Sequence, residues 1–338
     1  ETKFLERRDY ETKLANSELG QKFRLPDRSG QFVEATRKGR FRRPQNLDPA
    51  ALNSDPASGA TMGVEKVKLP IEFIQEFMPV GTTAQLTSWI DLEEWANEDL
   101  PMALRRRMHE LTQNAFLVGR FQPGKWAADG SEATAFDAVV EKTVTLYGLS
   151  FTFAAAPRYY ASGKRAFNAL GENDRATFAD LEALRNRLSL AGAPKIDGLY
   201  RCLLSDSMAT DLGKDDKYFQ AMVNAFKGEG IKKGTLGTYK GLSFEIDDEP
   251  FTLDWAADNV RATNGPIHAA IVTGKGAFGY LDLGGKSTPR PKFKVQDISK
   301  TGVEKTIGYL VPFQAGIVNA DWCATYLAPV SEYEPNNG

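Results

Sequence analysis

The sequence predicts an α+β fold, and three features carry that expectation. In residues 64–77, Val67, Leu69, Ile71, Phe73 and Phe77 alternate with Lys66, Lys68, Glu72 and Glu76. That is the period of a half-buried strand, with Ile74 the one exception. Further on, Leu104, Met108, Leu111, Ala115 and Val118 fall at alternating spacings of four and three, the single apolar seam of a helix. The strand-like and helical runs that follow are mixed, with no βαβ repetition and no internal repeat, which argues against a doubly wound sheet.

Taken in order, residues 1–30 are polar and charged with scattered apolar residues (Phe4, Leu5, Leu14, Leu19, Phe23), as expected of an extended arm. LPDRSG at 25–30 is a turn signal. Residues 31–43 and 64–77 read as two long strands, and Pro70 confines the second to an edge or a bulge. The connection between them, QNLDPAALNSDPASGATMG at 45–63, is long for a compact domain. The result is a protruding hairpin that something else must hold, because an isolated hairpin is marginal in water.

Residues 91–118 read as the longest helix, opened by an Asp91–Glu94 capping box and broken or kinked at Pro101, where Asp99 would cap a second stretch. Residues 120–176 are weakly patterned, with one strand at 140–153 and a Gly/Asn-punctuated loop at 158–174. Thr177 caps a helix with Phe178, Leu181, Leu184 and Leu188 on one face and Gly192 after it. A strand at 199–204, a helix opened by Ser205 or Asp206, a turn–strand–turn at 234–250 and strands at 267–273 and 307–328 complete the reading.

Hydrophobic residues make up 42% and charged residues 25% of the chain, which is ordinary for a globular protein. A net charge of −2 gives no global attraction to nucleic acid or anionic membrane. Charge is nonetheless uneven. Residues 1–45 hold 12 Lys/Arg against 7 Asp/Glu, net +5, which leaves 30 against 37, net −7, for the remainder. No apolar run is long enough for a membrane span, and no secretory signal pattern is read. Cys202 and Cys323 sit in apolar runs and read as two core thiols of a reducing compartment. Two cysteines are too few for a disulfide framework or a zinc site.

Candidate chemistry is sparse. His109 falls on the polar flank of the long helix, where an exposed or partner-facing residue is expected, and His268 opens an apolar strand as a core or rim residue. No H-E-x-x-H, C-x-x-C or G-x-S-x-G occurs. GYLDLGGKS at 279–287 approaches a phosphate loop, but five residues rather than four separate Gly279 from Gly285, and it reads as a glycine-rich strand end. The acidic clusters DLEEWANED (91–99) and EIDDEPFTLD (245–254) could serve acid–base or metal chemistry. A helix N-terminus and a solvated turn are the simpler readings.

The most distinctive run is RKGRFRR at 37–43, with five cations in seven residues. It could neutralise phosphates, but Phe41 is its only aromatic and no reading helix accompanies it. Docking on an acidic protein surface fits better, and nucleic-acid binding through this basic hairpin is the alternative. Along a strand, Arg37 and Arg43 share one face and Lys38, Arg40 and Arg42 the other. Asp91, Glu93 and Glu94 are the first candidate landing patch, and 245–254 the next.

Several segments, in order, carry a resemblance. RLPDRSGQFVEATRKGRFRRPQNL resembles the entry into an extended loop, and DLEEWANEDLPMALRRRMHELTQNAFLVG a spine helix. TFADLEALRNRL, LYRCLLSDSMATDL and GTLGTYKGLSFEID resemble the helix, strand and turn of an axial domain. Together they span most of residues 20–330 and resemble the major capsid proteins of tailed bacteriophages with the Hong Kong 97-type fold, closest to the podovirus-like family. The resemblance implies an N-terminal arm (1–30), an extended two-stranded loop (31–80) and a peripheral domain with the spine helix (81–176). An axial domain (177–290) and return strands of the peripheral domain (291–338) complete it. Residues 121–176 are longer than the pattern and read as an insertion. It further implies a structural protein without catalytic residues, cofactor or metal, which self-assembles through hexameric and pentameric capsomers. The implied partners are scaffolding, portal and decoration proteins and packaged double-stranded DNA contacted without sequence preference. No membrane is involved, and the implied location is the virion, after assembly in the host cytoplasm.

Overall fold

The structure, a computed structural model, describes residues 14–15, 18–24, 32–38, 64–81, 92–118, 141–146, 149–165, 169–171, 173–214, 237–247, 249, 252–253, 267–282, 292–297 and 304–331. Strands β1 (Gln21–Arg24), β2 (Phe32–Lys38), β3 (Val64–Pro70) and β4 (Glu72–Gly81) precede the long helix α1 (Leu92–Val118). Strands β5 (Glu141–Leu146), β6 (Leu149–Ala154) and β7 (Arg158–Tyr160) lead to helix α2 (Phe178–Leu190). Next come β8 (Tyr200–Ser205), helix α3 (Asp206–Gly213), β9 (Thr238–Tyr239), β10 (Leu242–Asp247) and β11 (Thr252–Leu253). They are followed by β12 (Ile267–Thr273), β13 (Phe278–Asp282), β14 (Lys292–Asp297), β15 (Glu304–Phe313), β16 (Ala315–Ile317) and β17 (Cys323–Pro329).

The largest sheet runs β7-β17-β12-β8-β10-β9, with β11 added beside β12. Its central strand, β12, is buried along its whole length, as IHAAIVT requires of a strand covered on both faces. Helix α2 lays Phe178, Leu181, Leu184 and Leu188 on this sheet, and the Thr177 hydroxyl caps it by accepting from Asp180 N–H at 3.3 Å. The turn between β9 and β10 is built on Lys240 and Gly241, both at positive φ, the geometry of a tight hairpin.

A second core forms where α1 crosses the sheet β14-β15-β4. Leu100, Leu104 and Met108 are buried there with Ile307, Tyr309, Val311 and Phe313, and Leu111 is half-buried at its border. Further along the helix, residues 112–117 are all buried. The C-terminal carbonyls of α1 are taken up by the β6–β7 connection. Ala156 N–H donates to the Phe116 carbonyl at 2.9 Å, and the Arg158 guanidinium donates to the Leu117 carbonyl, a cation at the negative end of the helix.

Several expectations change. Pro101 neither breaks nor ends the helix, which is continuous from Leu92 to Val118. Proline's fixed φ suits a helix and only one backbone bond is lost, while Leu100 and Leu104 are pinned in the core on either side of it. The strand expected within 140–153 is, in the described residues, a pair, β5 and β6, joined antiparallel. The loop at 158–174 contributes β7, a parallel edge strand beside β17. The inner end of the arm is not free either. Leu14, Ala15 and Leu19 are buried in the α1 core, and β1 pairs in parallel with β13.

The strand expected at 64–77 is two strands that change partner at Pro70–Ile71. β3 pairs with β2 as far as Phe32 opposite Pro70, and β4 then pairs with β15 from Glu72 opposite Phe313. Proline cannot donate to a ladder, so the partner changes there. The buried parity changes too: Leu69 and Ile71 are inward, but beyond the break Ile74 and Met78 face the core. Phe73 and Phe77, expected in the apolar face, are exposed instead. Ile74, the apparent exception, is the residue that fits.

Two glycines allow close approaches in this region. A Cβ on Gly279 would stand 1.8 Å from the Phe23 ring, and one on Gly316 would stand 2.3 Å from Leu69 Cδ2. They let β1 and the base of the β2–β3 hairpin seat on β13 and β16. Leu69 is also buried with Phe151 of β6, so the hairpin's root is held by its own subunit.

Candidate assembly surfaces

The β2–β3 hairpin carries the start of the basic run at its far end, where Arg37 pairs in register with Glu65 and Lys38 with Val64. Arg40, Arg42 and Arg43 lie outside the described residues, as does Asp91. Glu93 and Glu94 occupy the first turn of α1, where the helix dipole favours carboxylates. The described residues therefore do not test the pairing between the two groups.

The second acidic cluster is not a solvated turn throughout. Asp247, the last residue of β10, is buried and accepts from His109 Nε2 at 2.9 Å, from Gln113 Nε2 at 2.7 Å and from the Glu249 N–H at 3.2 Å. Gln113 also donates to the Glu249 carbonyl at 2.8 Å, and Arg106 pairs with Glu249 at the exposed edge at 2.6 Å. His109, expected on a polar flank, is therefore the buried donor that ties the middle of α1 to the end of β10. Nε2 faces the Asp247 carboxylate and also lies 2.9 Å from Gln113 Nε2, while Nδ1 is buried on the other side of the ring. Sequence reading missed this link because its halves stand 138 residues apart. The available signal was the placement of His109 and Gln113 one helical turn apart on one face.

A second buried network ties α3 to the end of β17. The Ser205 hydroxyl caps α3 by accepting from Met208 N–H at 3.1 Å and lies 2.7 Å from His268 Nδ1. Beyond it, Asp211 accepts from Lys214 Nζ at 2.7 Å and from the Ser331 N–H at 2.9 Å, with the Ser331 hydroxyl also bound. Burial lowers the His268 imidazole below its usual range, which favours the neutral ring, and its Nδ1 shares a hydrogen bond with the Ser205 hydroxyl. For Asp211, burial opposes the charge, but the Lys214 and Ser331 hydrogen bonds outweigh it and hold the carboxyl below its usual range. A serine, a histidine and an aspartate thus lie close together. The hydroxyl is buried and already committed to the helix cap, so the arrangement is that of a cap rather than of a nucleophile.

Sequence reading also passed over GKGAFG at 274–279, a Gly-x-Gly-x-x-Gly pattern directly after β12. A dinucleotide-binding loop of that pattern opens a helix. Here it turns from β12 into β13, and a Cβ on Gly274 would meet the Pro194 carbonyl at 2.8 Å. These are packing glycines. Cys202 and Cys323 are free, buried thiols, as expected, and burial raises Cys202 to about 12. Among the described residues no group of metal-ligating side chains is found, and no helix is long and apolar enough to cross a membrane.

The long helix crossing a three-stranded sheet, the hairpin rooted beside it and the separate seven-stranded sheet define a class: the chain has the Hong Kong 97-type fold of tailed-phage capsid proteins. The sequence matches no family model and no curated protein. Among solved structures it is similar to the capsid of Ralstonia phage GP4, with a TM-score of 0.63 at 14% identity over 93% of this chain and 88% of that one. The Cyanophage Pam1 capsid gives 0.62 at 12% identity over 92% and 88%. The capsid of a native GTA particle gives 0.54 at 9% over 93% and 89%.

Proposed function

We propose that this chain is a major capsid protein, a structural subunit that self-assembles into the icosahedral shell around the double-stranded DNA genome of a tailed phage. One observation carries the reading. The fold agreement with a phage capsid extends over 93% of this chain and 88% of the other, so the likeness is not confined to a shared module. The role is non-enzymatic and its place is the virion. Hexameric and pentameric capsomers are the unit of association. Scaffolding, portal and decoration proteins are the further partners, and packaged DNA is met without sequence preference. The division of the chain follows the arm (1–30), extended loop (31–80), peripheral (81–176 and 291–338) and axial (177–290) pattern, with β4 paired into the β14-β15-β4 sheet and β7 and β17 crossing into the axial sheet.

Within this reading, Arg37, Lys38, Arg40, Arg42 and Arg43 reach an acidic surface of a neighbouring subunit, with Asp91, Glu93 and Glu94 as the patch. What supports this is the register that puts Arg37 and Lys38 at the hairpin's far end and the position of Glu93 and Glu94 at the start of α1. An exposed ion pair contributes only ~0–1 kcal/mol, but each contact repeats in every subunit of a closed shell. Light scattering on purified protein, with and without DNA at low salt, tests the reading. Large particles forming without DNA are expected. A small oligomer that grows only with DNA contradicts it and favours the nucleic-acid alternative.

A further inference from the structure

We infer that the outer face of the β14-β15-β4 sheet is a contact surface covered by a second copy of this chain, an inference that rests on the capsid reading. Three of the exposed large apolar side chains lie on it: Phe73 at 59% exposure, Phe77 at 66% and Leu310 at 51%. The register makes them neighbours. Phe73 stands opposite Pro312, Gln75 opposite Leu310 and Phe77 opposite Gly308. Part of this is local packing, since an aromatic opposite a glycine covers it, and a Cβ on Gly308 would stand 2.8 Å from that of Phe77. Covering one glycine accounts for neither Phe73 nor Leu310. The subunit's own helix cannot shield the face either, because α1 packs on the opposite, inner side with Ile307, Tyr309, Val311 and Phe313.

Area and charge argue for the occupant. At these exposures the two rings and the leucine offer roughly 300 Å² of apolar surface, on the scale of about 150–250 Å² per buried aromatic. A patch of about that size is the largest on a typical monomer and is often functional. It is well under the ~800 Å² per partner of a stable two-body complex. A separate partner held by this face alone would bind weakly. A copy held at several places in a closed lattice needs only a modest contribution from each. β14 pairs Lys292 with Leu310 and Lys294 with Gly308, so two cationic positions border the patch. Residues 46–338 of any copy carry 37 acidic against 30 basic residues, a net charge opposite to that border.

The test is thiol labelling of Phe77→Cys, with Gln75→Cys on the same face as the second variant should the first fail to fold. The native Cys202 and Cys323 are buried and stay silent under native conditions. Purified unassembled subunit and particles assembled from that protein alone are exposed to a maleimide. Fast labelling of the subunit and at least about tenfold slower labelling of the particles is expected, since the core of an interface excludes water. Equal rates in both overturn the inference and leave the capsid reading standing. Protection that appears only when another protein is added assigns the face to a different partner and also overturns it. Wild-type protein that forms no particles at all brings down the capsid reading, and this inference with it.

Discussion

At Asp247 a large single-residue effect on folding is expected. Its buried carboxylate is the shared acceptor for His109, Gln113 and the Glu249 backbone. Asp247→Ala strands these donors away from water and should destabilise the subunit by about 2–5 kcal/mol. Asp247→Asn, which keeps one acceptor oxygen, should lose less. Urea denaturation of the unassembled protein measures both, and wild-type stability in the alanine variant would show that the link does not hold α1 to β10. A pH dependence belongs to the other network. The His268 pKa is lowered in the fold, so the unfolded chain takes up a proton first as pH falls through about 6.5 and stability declines below it. Asp211 is also lowered, and its contribution is lost at more acid pH, as the medium passes below the ordinary carboxylate range toward the folded value. The melting temperature should therefore fall between pH 7 and pH 5 (about the range over which an ordinary imidazole takes up its proton). It should fall less in His268→Asn, which keeps a polar partner for Ser205 but does not titrate.

Among the elements, α1 separates what the sequence reveals from what it hides. Its seam was legible because burial on one side leaves a 3.6-residue period, and Leu104 and Met108 are in the core as that period requires. Leu111 is only half-buried. Leu104→Ala should thus cost about 2–5 kcal/mol and yield insoluble protein, with Leu111→Ala clearly milder. Equal effects, read as soluble yield and thermal midpoint, would misplace the seam. The caps at Thr177 and Ser205 were legible for the same local reason. What stayed hidden depends on partners distant in sequence. The parity change at Pro70–Ile71 arises because β4 leaves β3's sheet for β15, some 230 residues on. The His109–Asp247 bond and the parallel β1–β13 and β7–β17 pairs have the same cause. For the hairpin, Arg40→Glu with Arg42→Glu should leave the subunit folded but weaken particle formation, and adding Glu93→Arg with Glu94→Arg should partly restore it. Normal particles with less packaged DNA would assign the run to nucleic acid instead. Failure of the rescue would move its landing site to 245–254.

For the whole molecule, the two larger cores lie on opposite faces of the seven-stranded sheet, with Leu203, Ile271 and Cys323 turned toward the α1 core. One core, under α2 and the seven-stranded sheet, closes with few large exposed apolar residues. The other, under α1, leaves its sheet's far side apolar and open, beside the root of the basic hairpin. In the proposed shell such a face would be completed by a neighbour, and a front end of net +5 on a body of net −7 would give copies opposite charges to bring together. The order of segments made the fold legible in the sequence. The residues proposed to meet across subunits were less so, since no contact between copies leaves a period within one chain. Negative-stain electron microscopy of the purified protein, assembled without other components, addresses the central claim most directly. Capsomers with six- and five-fold symmetry, tubes or closed shells are the expected result, and a uniform field of monomers or small open oligomers across protein concentration and salt would contradict it.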